Sequence, residues 1–170
     1  MSQPDILVFR AGWGGPAAMV RTPLPGTVPF GMSFDSAGRL ALAEAGPNRI
    51  ASFTLNRDDA LTQIQALPTG QAGTCWIVGS GRDLYASNAG SGTLSRYVVE
   101  NDGTLKPLGL TATAAGTVDA AISSDGRDLY VQTGAAGAVS EYQIQHDGSL
   151  VAVGSVTVPN AAGAEGIVAL

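Results

Sequence analysis

The chain has one histidine and one cysteine, and these two residues limit its nucleophilic and metal chemistry. A Ser-His-Asp or Cys-His mechanism would have to use His146, and a thiol nucleophile would have to be Cys75. Trp76 and Ile77 follow Cys75, so a buried structural thiol is the expected role. A structural zinc site takes four ligands, usually His and Cys. We therefore expect neither a metal nor a cofactor.

Two carboxylates are the next candidates for chemistry. Asp119 and Glu165 stand 46 residues apart, at near-equivalent positions of the repeat described below. Two carboxylates side by side can bind a cation or share a proton, which raises the pKa of one of them. The alternative is that each caps a turn or accepts hydrogen bonds from backbone N–H groups. The sequence offers no extra ligands of the kind that a calcium site would show.

The segment Gly12-Trp13-Gly14-Gly15 superficially resembles a phosphate-binding loop. It lacks the Gly-Lys-Ser/Thr ending and does not open a helix, so we predict a flexible hairpin instead. Trp13 would then be exposed, and exposed aromatic side chains favour contacts with partners. It is therefore a candidate interface residue.

The element that positions these residues is a repeat. Gly38-Arg39-Leu40 is echoed by Gly81-Arg82-Asp83-Leu84 and by Gly126-Arg127-Asp128-Leu129. Three columns of residues recur with steps of 44 and 45: Leu40, Leu84 and Leu129; Phe53, Tyr97 and Tyr142; Leu61, Leu105 and Leu150. A period of about 40–45 residues with four short strands is typical of a β-propeller blade. The sequence therefore predicts an all-β fold of four-stranded antiparallel blades.

Turn chemistry supports this prediction. Asp102-Gly103, Asp125-Gly126 and Asp147-Gly148 supply the positive φ that tight hairpins need. Asp58–Leu67 resembles a short helix, but its register makes it the fourth strand of the first complete blade. The recurrent arginines at the Gly-Arg step are expected to hold their turn, a scaffold role.

The repeat also predicts where the blades begin and end. We predict a single partial propeller domain over 1–170, with a partial blade at 5–25, complete blades at about 28–70, 72–114 and 116–159, and the start of another at 163–170. Ile6–Phe9 is a third strand without its first two, and Gly166–Ala169 begins a new first strand. One blade is thus split between the two ends, and the chain forms roughly half of a ring.

An open array leaves two unpaired sheet edges, which favours association. We expect a homo-oligomer, in the simplest case a dimer that closes the ring, or pairing with a missing half. Ile6, Val8 and Ile167, together with Trp13, are the candidate interface residues.

Composition excludes several classes of partner. The net charge of −5 and the absence of any Lys or Arg cluster argue against binding to nucleic acid. No apolar run approaches the ~20 residues that a membrane helix requires. The first residues show no signal peptide, so a cytoplasmic location is expected.

Two kinds of segment resemble the propeller repeats of the lactonase family, which includes 6-phosphogluconolactonase-like and carboxymuconate-cyclase-like proteins. Its Phe-Ser-Pro-Asp-Gly-Arg-x-Leu-Tyr-Val-x-Asn signature is resembled by three segments: Phe34–Leu40, Gly81–Asn88 and Ser123–Val131. Arg96–Leu105 and Glu141–Leu150 look like its x-Tyr-x-x-x-x-x-Gly-x-Leu hairpin. The resemblance covers almost the whole chain and implies a propeller with lactone hydrolysis or cyclisation at its channel. It implies function weakly, because one fold hosts many roles.

The sequence departs from the family at the start of the first strands. The family commonly has a His-Pro-Arg step there; this chain has Val28-Pro29-Phe30, Ala72–Cys75, Thr117–Ala120 and Gly163–Gly166, with neither His nor Arg. Catalysis by this chain alone is therefore left open.

Propeller ligands usually lie over the channel, on the loops between strands two and three and at the starts of first strands. The candidate ligand-binding residues are Asn48, Asn88, Asp119 and Glu165. Two functions follow from this pattern. One is a lactonase-like propeller that binds or acts on a small polar metabolite. The other is a non-catalytic scaffold for protein interaction or self-association.

Overall fold

A computed structural model describes residues 4–12 and 15–170 of the protein. Within these ranges the chain forms fourteen β-strands and no helix. The strands are β1 (Asp5–Gly12), β2 (Gly15–Pro23), β3 (Pro29–Phe34), β4 (Leu40–Glu44), β5 (Arg49–Leu55), β6 (Leu61–Pro68), β7 (Thr74–Ser80), β8 (Asp83–Asn88), β9 (Thr93–Val99), β10 (Leu105–Ala112), β11 (Thr117–Ile122), β12 (Asp128–Thr133), β13 (Ala138–Ile144) and β14 (Leu150–Thr157). No helix that could cross a lipid bilayer occurs in this described part.

Each sheet consists of strands that follow one another in the chain. β3–β6, β7–β10 and β11–β14 form three four-stranded sheets, and β1 and β2 form a two-stranded one. All pairings are antiparallel. We call the complete sheets the first, second and third blade, and β1–β2 the half-blade. The predicted propeller fold is confirmed, and Leu61–Pro68 is a strand rather than a helix.

The first strands of neighbouring blades lie side by side. β7 contacts β3 on one side and β11 on the other. Each of these three strands is the terminal strand of its own sheet, so one edge of each has no paired neighbour. The three strands therefore form a common wall around the axis of the propeller, with β6, β10 and β14 at the rim.

The core lies between the blades because each sheet is apolar on both faces. Leu84, Tyr97 and Leu105 of the second blade pack on Ala43 and Ile50 of the first. Equivalent clusters join the half-blade to the first blade and the second blade to the third. The aromatic column found in the sequence is buried at these junctions: Phe53, Tyr97 and Tyr142 expose 1%, 3% and 5% of their surface. Burial of such side chains contributes about 1.5–3 kcal/mol each.

The first strands approach one another closely at Gly31. A Cβ atom at this position would lie 2.8 Å from the Trp76 Cα and the Ile77 backbone nitrogen of the next blade. Real Cβ atoms do not approach backbone this closely, so only glycine allows β3 to sit against β7.

One predicted strand is absent. The sequence predicts a strand over Gly166–Ala169, but the structure assigns none after Thr157, so this prediction is wrong. The segment does lie beside β11, where the Gly166 N–H donates to Asp119 Oδ2 at 3.0 Å. A strand is defined by hydrogen bonding to a neighbour in its sheet, and no described residue supplies a second strand for it.

The array ends in two uncovered faces. On the half-blade Leu7, Phe9 and Met19 are exposed, and on β14 Val151 and Val156 are exposed. Among the described residues β2 is the only strand that pairs with β1 in a sheet, so the other edge of β1 is unpaired. Between β1 and the first blade lies an apolar groove of about 230 Å³, lined among others by Val8, Phe34 and Leu40.

Candidate functional site

The candidate site is a cavity on the wall formed by the three first strands. Its volume is about 350 Å³, within the range of pockets that hold small ligands. β3, β7, β11 and residues 167–169 line it, with Met32, Trp76 and Ile122 among the larger side chains. The cavity is open on the side where the rest of a ring would lie.

Polar groups in this wall come mainly from the backbone. β3, β7 and β11 each use one edge for pairing and leave the other free. Free edges present unpaired N–H and C=O groups, which are strong hydrogen-bonding partners. Lys, Arg and His are absent from the residues that line the cavity in the described part of the chain. The wall can therefore bind hydroxyl and carbonyl groups, and it holds no cation for an anionic ligand.

Three glycines fix the register at the channel mouth. Gly73, Gly116 and Gly163 have φ values of +68°, +76° and +81°, a left-handed conformation that glycine adopts freely. Two residues after each stand Cys75, Val118 and Glu165. Glu165 is thus equivalent to Val118, and Gly166 is equivalent to Asp119. The expected near-equivalence of Asp119 and Glu165 is displaced by one residue.

Asp119 is engaged by the backbone on both oxygens. Oδ1 accepts from the Ala120 N–H at 2.7 Å, and Oδ2 accepts from the Gly166 N–H at 3.0 Å. Its side chain is buried, whereas Glu165 is exposed. These contacts match the capping alternative stated for Asp119. They leave Glu165 as the charged candidate that is open to a ligand.

Cys75 lies close to both carboxylates, and its thiol stays protonated. Its Sγ contacts the Val118 carbonyl oxygen at 3.5 Å. Burial raises the pKa of the Cys75 thiol; backbone N–H groups lower it, and the negative charges of Glu165 and Asp119 raise it further. The net shift is upward. A thiolate nucleophile is therefore disfavoured at neutral pH.

Asn88 is the centre of a buried hydrogen-bond network. Its Oδ1 accepts from Thr74 Oγ1 at 2.7 Å, and its Nδ2 donates to Ser95 Oγ at 2.9 Å and Thr93 Oγ1 at 3.1 Å. The side chain has no exposed surface. Its amide is thus occupied by the scaffold.

Asn48 has a similar joining role between two blades. Its Oδ1 accepts from the Thr74 N–H at 3.0 Å, which ties the β4–β5 turn to the start of β7. Its φ of +51° is a left-handed conformation that Asn tolerates better than most residues.

The remaining predicted residues lie away from the cavity or at its margin. His146 is exposed in the β13–β14 hairpin of the third blade, as the repeat predicts, whereas Cys75 lies in the first strand of the second blade. Ile6 is buried against the first blade and Val8 packs beside it. Ile167 lines the cavity. Trp13 lies outside the described residues.

The sequence analysis missed two aromatic contributions to the mouth. The rings of Phe30 and Trp76 meet edge to face at 6.3 Å between centroids, with Phe30 exposed. Trp76 also donates from Nε1 to the Ala120 carbonyl oxygen at 3.2 Å, so it bridges the second and third blades. The signal was the position of Phe30 at the start of a first strand, equivalent to Cys75 and Val118.

Groups of three or more His, Cys, Asp or Glu side chains that could hold a metal do not occur within residues 4–12 and 15–170.

Comparison with solved structures shows a shared fold. A periplasmic gluconolactonase from Pseudomonas aeruginosa aligns with a TM-score of 0.71 at 20% identity, over 86% of this chain and 46% of its own. A Bacteroides fragilis protein provisionally named 6-phosphogluconolactonase gives 0.72 at 21% identity, over 81% of this chain and 42% of its own. Virginiamycin B lyase from Staphylococcus aureus gives 0.62 at 16% identity, over 92% and 50%.

These similarities define a lactonase-like β-propeller fold. The chain spans about half the length of the solved structures that it matches. The sequence matches no protein-family profile and no curated protein.

Proposed function

We propose that this chain is the ligand-binding half of a lactonase-like propeller, and that it takes a small, neutral, hydroxyl-bearing metabolite in the channel of the completed ring. The observation that carries the proposal is the cavity of about 350 Å³ whose wall consists of three unpaired strand edges. Such a wall offers hydrogen bonds to hydroxyl and carbonyl groups without offering charge.

Negative charge near the mouth of the cavity favours neutral over anionic ligands. Glu165 is exposed two residues before Ile167, which lines the cavity, and the Asp119 carboxylate accepts from the neighbouring Gly166 N–H. No cation occurs among the lining residues described. A carboxylate or phosphate would be repelled, whereas a neutral lactone would not. A neutral sugar lactone is also the substrate class implied by the name of the Pseudomonas aeruginosa gluconolactonase.

Binding, rather than catalysis, is the activity that this half supports. A general base or nucleophile must reach the reacting atom. His146 is at the outer hairpin, the Cys75 pKa is raised, and both Asp119 oxygens are engaged. Of the titratable candidates from the sequence, Glu165 alone remains open to a ligand, and a single carboxylate does not make a catalytic set. Any lactone hydrolysis would need groups from the other half of the ring.

The fluorescence of Trp76 tests the proposal. A Trp13→Phe variant leaves Trp76, which lines the cavity, as the sole tryptophan. Titration with freshly dissolved glucono-1,5-lactone should shift its emission and saturate, while gluconate and 6-phosphogluconate bind at least ~10-fold more weakly because the negative charges of Glu165 and Asp119 together repel them.

Two further variants sharpen this experiment. Glu165→Gln should leave lactone binding unchanged and strengthen gluconate binding by about 3-fold, since one repulsive charge is removed. Trp76→Phe in the otherwise natural chain should abolish the emission change. Equal binding of lactone and gluconate, or no change with any probe, would contradict the proposal.

A second candidate function is a non-catalytic scaffold. It is favoured by the uncovered apolar faces at both ends of the array, which carry Phe9, Met19, Val151 and Val156. Exposed apolar groups gathered on one face mark a surface that another protein covers. These faces and the channel cavity are separate surfaces, so both functions can coexist.

A further inference from the structure

Phe9 is far more exposed than the other residues of its repeat column. It stands 44 residues before Phe53, and the next members are Tyr97 and Tyr142. Those three side chains are buried against the preceding blade, at 1–5% exposure, whereas Phe9 is 51% exposed because no described blade precedes it. Met19, directly opposite Phe9 across the β1–β2 pair, is exposed on the same face.

At the other end of the array, residues of the third blade are also less buried than their equivalents in the preceding blades. Val139 holds the position that Ile50 and Leu94 hold in the first and second blades. Ile50 and Leu94 are 0% and 1% exposed because the following blade covers them, but Val139 is only half-buried. Tyr130 likewise holds the position of the fully buried Tyr85 and is half-buried itself.

An internal junction shows what contact these two ends would make. Between the second and third blades, Tyr85 and Leu94 pack against Tyr142 in one cluster. Replacing each residue by its equivalent at the open ends puts Phe9 against Tyr130 and Val139. The contact between two copies would have the same geometry as the contact that the second and third blades already make within one chain.

We propose that a second copy of this chain closes the ring, with Phe9 of each copy packed against Tyr130 and Val139 of the other. The chain itself carries both halves of the junction, and one copy spans 42–50% of the length of the propellers it matches. The contact is head-to-tail, and two identical junctions related by a twofold axis close it.

The C-terminal segment completes the same junction. It lies beside β11, in the place of a further first strand, and its side chains Val168 and Leu170 are exposed. In the closed ring this segment lies next to the groove of about 230 Å³ beside β1 of the second copy, which is lined by the exposed side chain of Phe34. The inference concerns assembly alone and does not depend on the proposed ligand.

Light scattering across a dilution series is the first test. The natural chain should give a mass of twice 17.1 kDa at micromolar concentration. Phe9→Asp and Val139→Asp should each raise the dimer dissociation constant at least ~10-fold, since a charge is placed in an apolar contact. Leu110→Asp is the matched control, because Leu110 is as exposed as Phe9 but lies on β10, away from both ends.

Mixed cross-linking identifies the contact. In a Cys75→Ser background, Phe9→Cys and Val139→Cys are prepared as separate proteins and oxidised alone or mixed. A covalent dimer should form efficiently only in the mixture. A monomer at every concentration would overturn the proposal, as would efficient disulfide formation by Phe9→Cys alone, which indicates a face-to-face dimer. Variants that stay folded by circular dichroism make each of these outcomes decisive.

Discussion

At the scale of single residues, the Asp35 carboxylate holds the turn between β3 and β4 of the first blade. Its Oδ1 accepts from the backbone N–H groups of Ala37 and Arg39, both at 2.9 Å, and its Oδ2 accepts from Arg39 Nε at 2.7 Å. Burial alone would raise the Asp35 pKa, but these hydrogen bonds and the Arg39 charge together lower it. The β3–β4 turn is therefore held by an ionised side chain.

A lowered pKa gives the stability a defined pH dependence. The folded state binds the Asp35 proton more weakly than the unfolded state does, so the stabilisation is complete above pH ~4 and is lost as the pH falls below that. Asp35→Asn should lower the free energy of unfolding by about 1–3 kcal/mol at pH 7. Urea denaturation should show this difference shrinking at pH 3.

The control for this prediction is Asp58→Asn, since Asp58 is exposed in the β5–β6 hairpin. That variant should change stability by less than about 0.5 kcal/mol. If Asp35→Asn lowered the free energy of unfolding as much at pH 3 as at pH 7, the stabilisation would not come from the ionised carboxylate.

Asn88 gives a second prediction at this scale. Asn88→Ala removes the partner of the buried hydroxyls of Thr74 and Ser95. We expect a loss of about 2–4 kcal/mol in urea denaturation, because the buried Ser95 hydroxyl loses its hydrogen bond to Asn88 and Thr74 keeps only the one to Thr69. Asn101→Ala, at an exposed hairpin position, should be nearly neutral. A loss of ligand binding without a loss of stability would instead make Asn88 a ligand contact.

At the scale of elements, the close packing of β3 on β7 gives a third prediction. Gly31→Ala places a methyl group 2.8 Å from the backbone of Trp76 and Ile77, so the two strands must separate. Since backbone on both sides has to move, we expect a loss of about 1–3 kcal/mol in thermal or urea denaturation. The channel wall would be widened by the same change.

Gly154→Ala is the matched substitution. Gly154 lies within β14, and a Cβ atom there meets nothing within 4 Å. It should leave stability unchanged or raise it slightly, because alanine loses less backbone entropy than glycine. Equal losses of stability in both variants would mean that strand propensity, and not the contact with β7, explains the effect of Gly31→Ala.

How far the sequence predicts these elements depends on the kind of pattern. The blades follow from columns such as Leu40, Leu84 and Leu129, because burial between blades demands the same residue type at each repeat. The recurring residue columns do not predict which side chains hydrogen-bond to one another. Each first strand carries a register shift near its start, as between Thr74 and Trp76. The spacing of the entry glycines also varies, and counted from Gly116 and Gly163 the residue equivalent to Asp119 is Gly166 rather than Glu165.

The terminal elements were the hardest to predict for a related reason. Gly166–Ala169 has the residues of a first strand, but strand formation needs a hydrogen-bonded neighbour that the pattern of one segment cannot supply. Phe9 shows the opposite case, since its column was visible in the sequence while its exposure depends on which blade precedes it. The local sequence pattern therefore predicts the complete blades. The structure and exposure of the two terminal segments depend instead on neighbouring strands and blades, which the pattern of one segment does not contain.

At the scale of the whole molecule, closure of a ring by two copies should make thermal stability depend on concentration. A partner that binds only the folded chain stabilises it by mass action. We expect the midpoint of thermal unfolding to rise by several degrees between about 1 and 100 μM chain. Phe9→Asp should remove this dependence while leaving the low-concentration midpoint unchanged. A midpoint independent of concentration in the natural chain would contradict closure.

The order of strands within the sheets has a consequence for how the molecule opens. Every sheet is built from consecutive strands, and in the described part of the chain the main contacts between sheets join adjacent blades. The chain thus behaves as a linear array in which opening can begin at either end and spread inward. The second blade, which alone of the complete blades has a complete blade on each side, should exchange its amide hydrogens last.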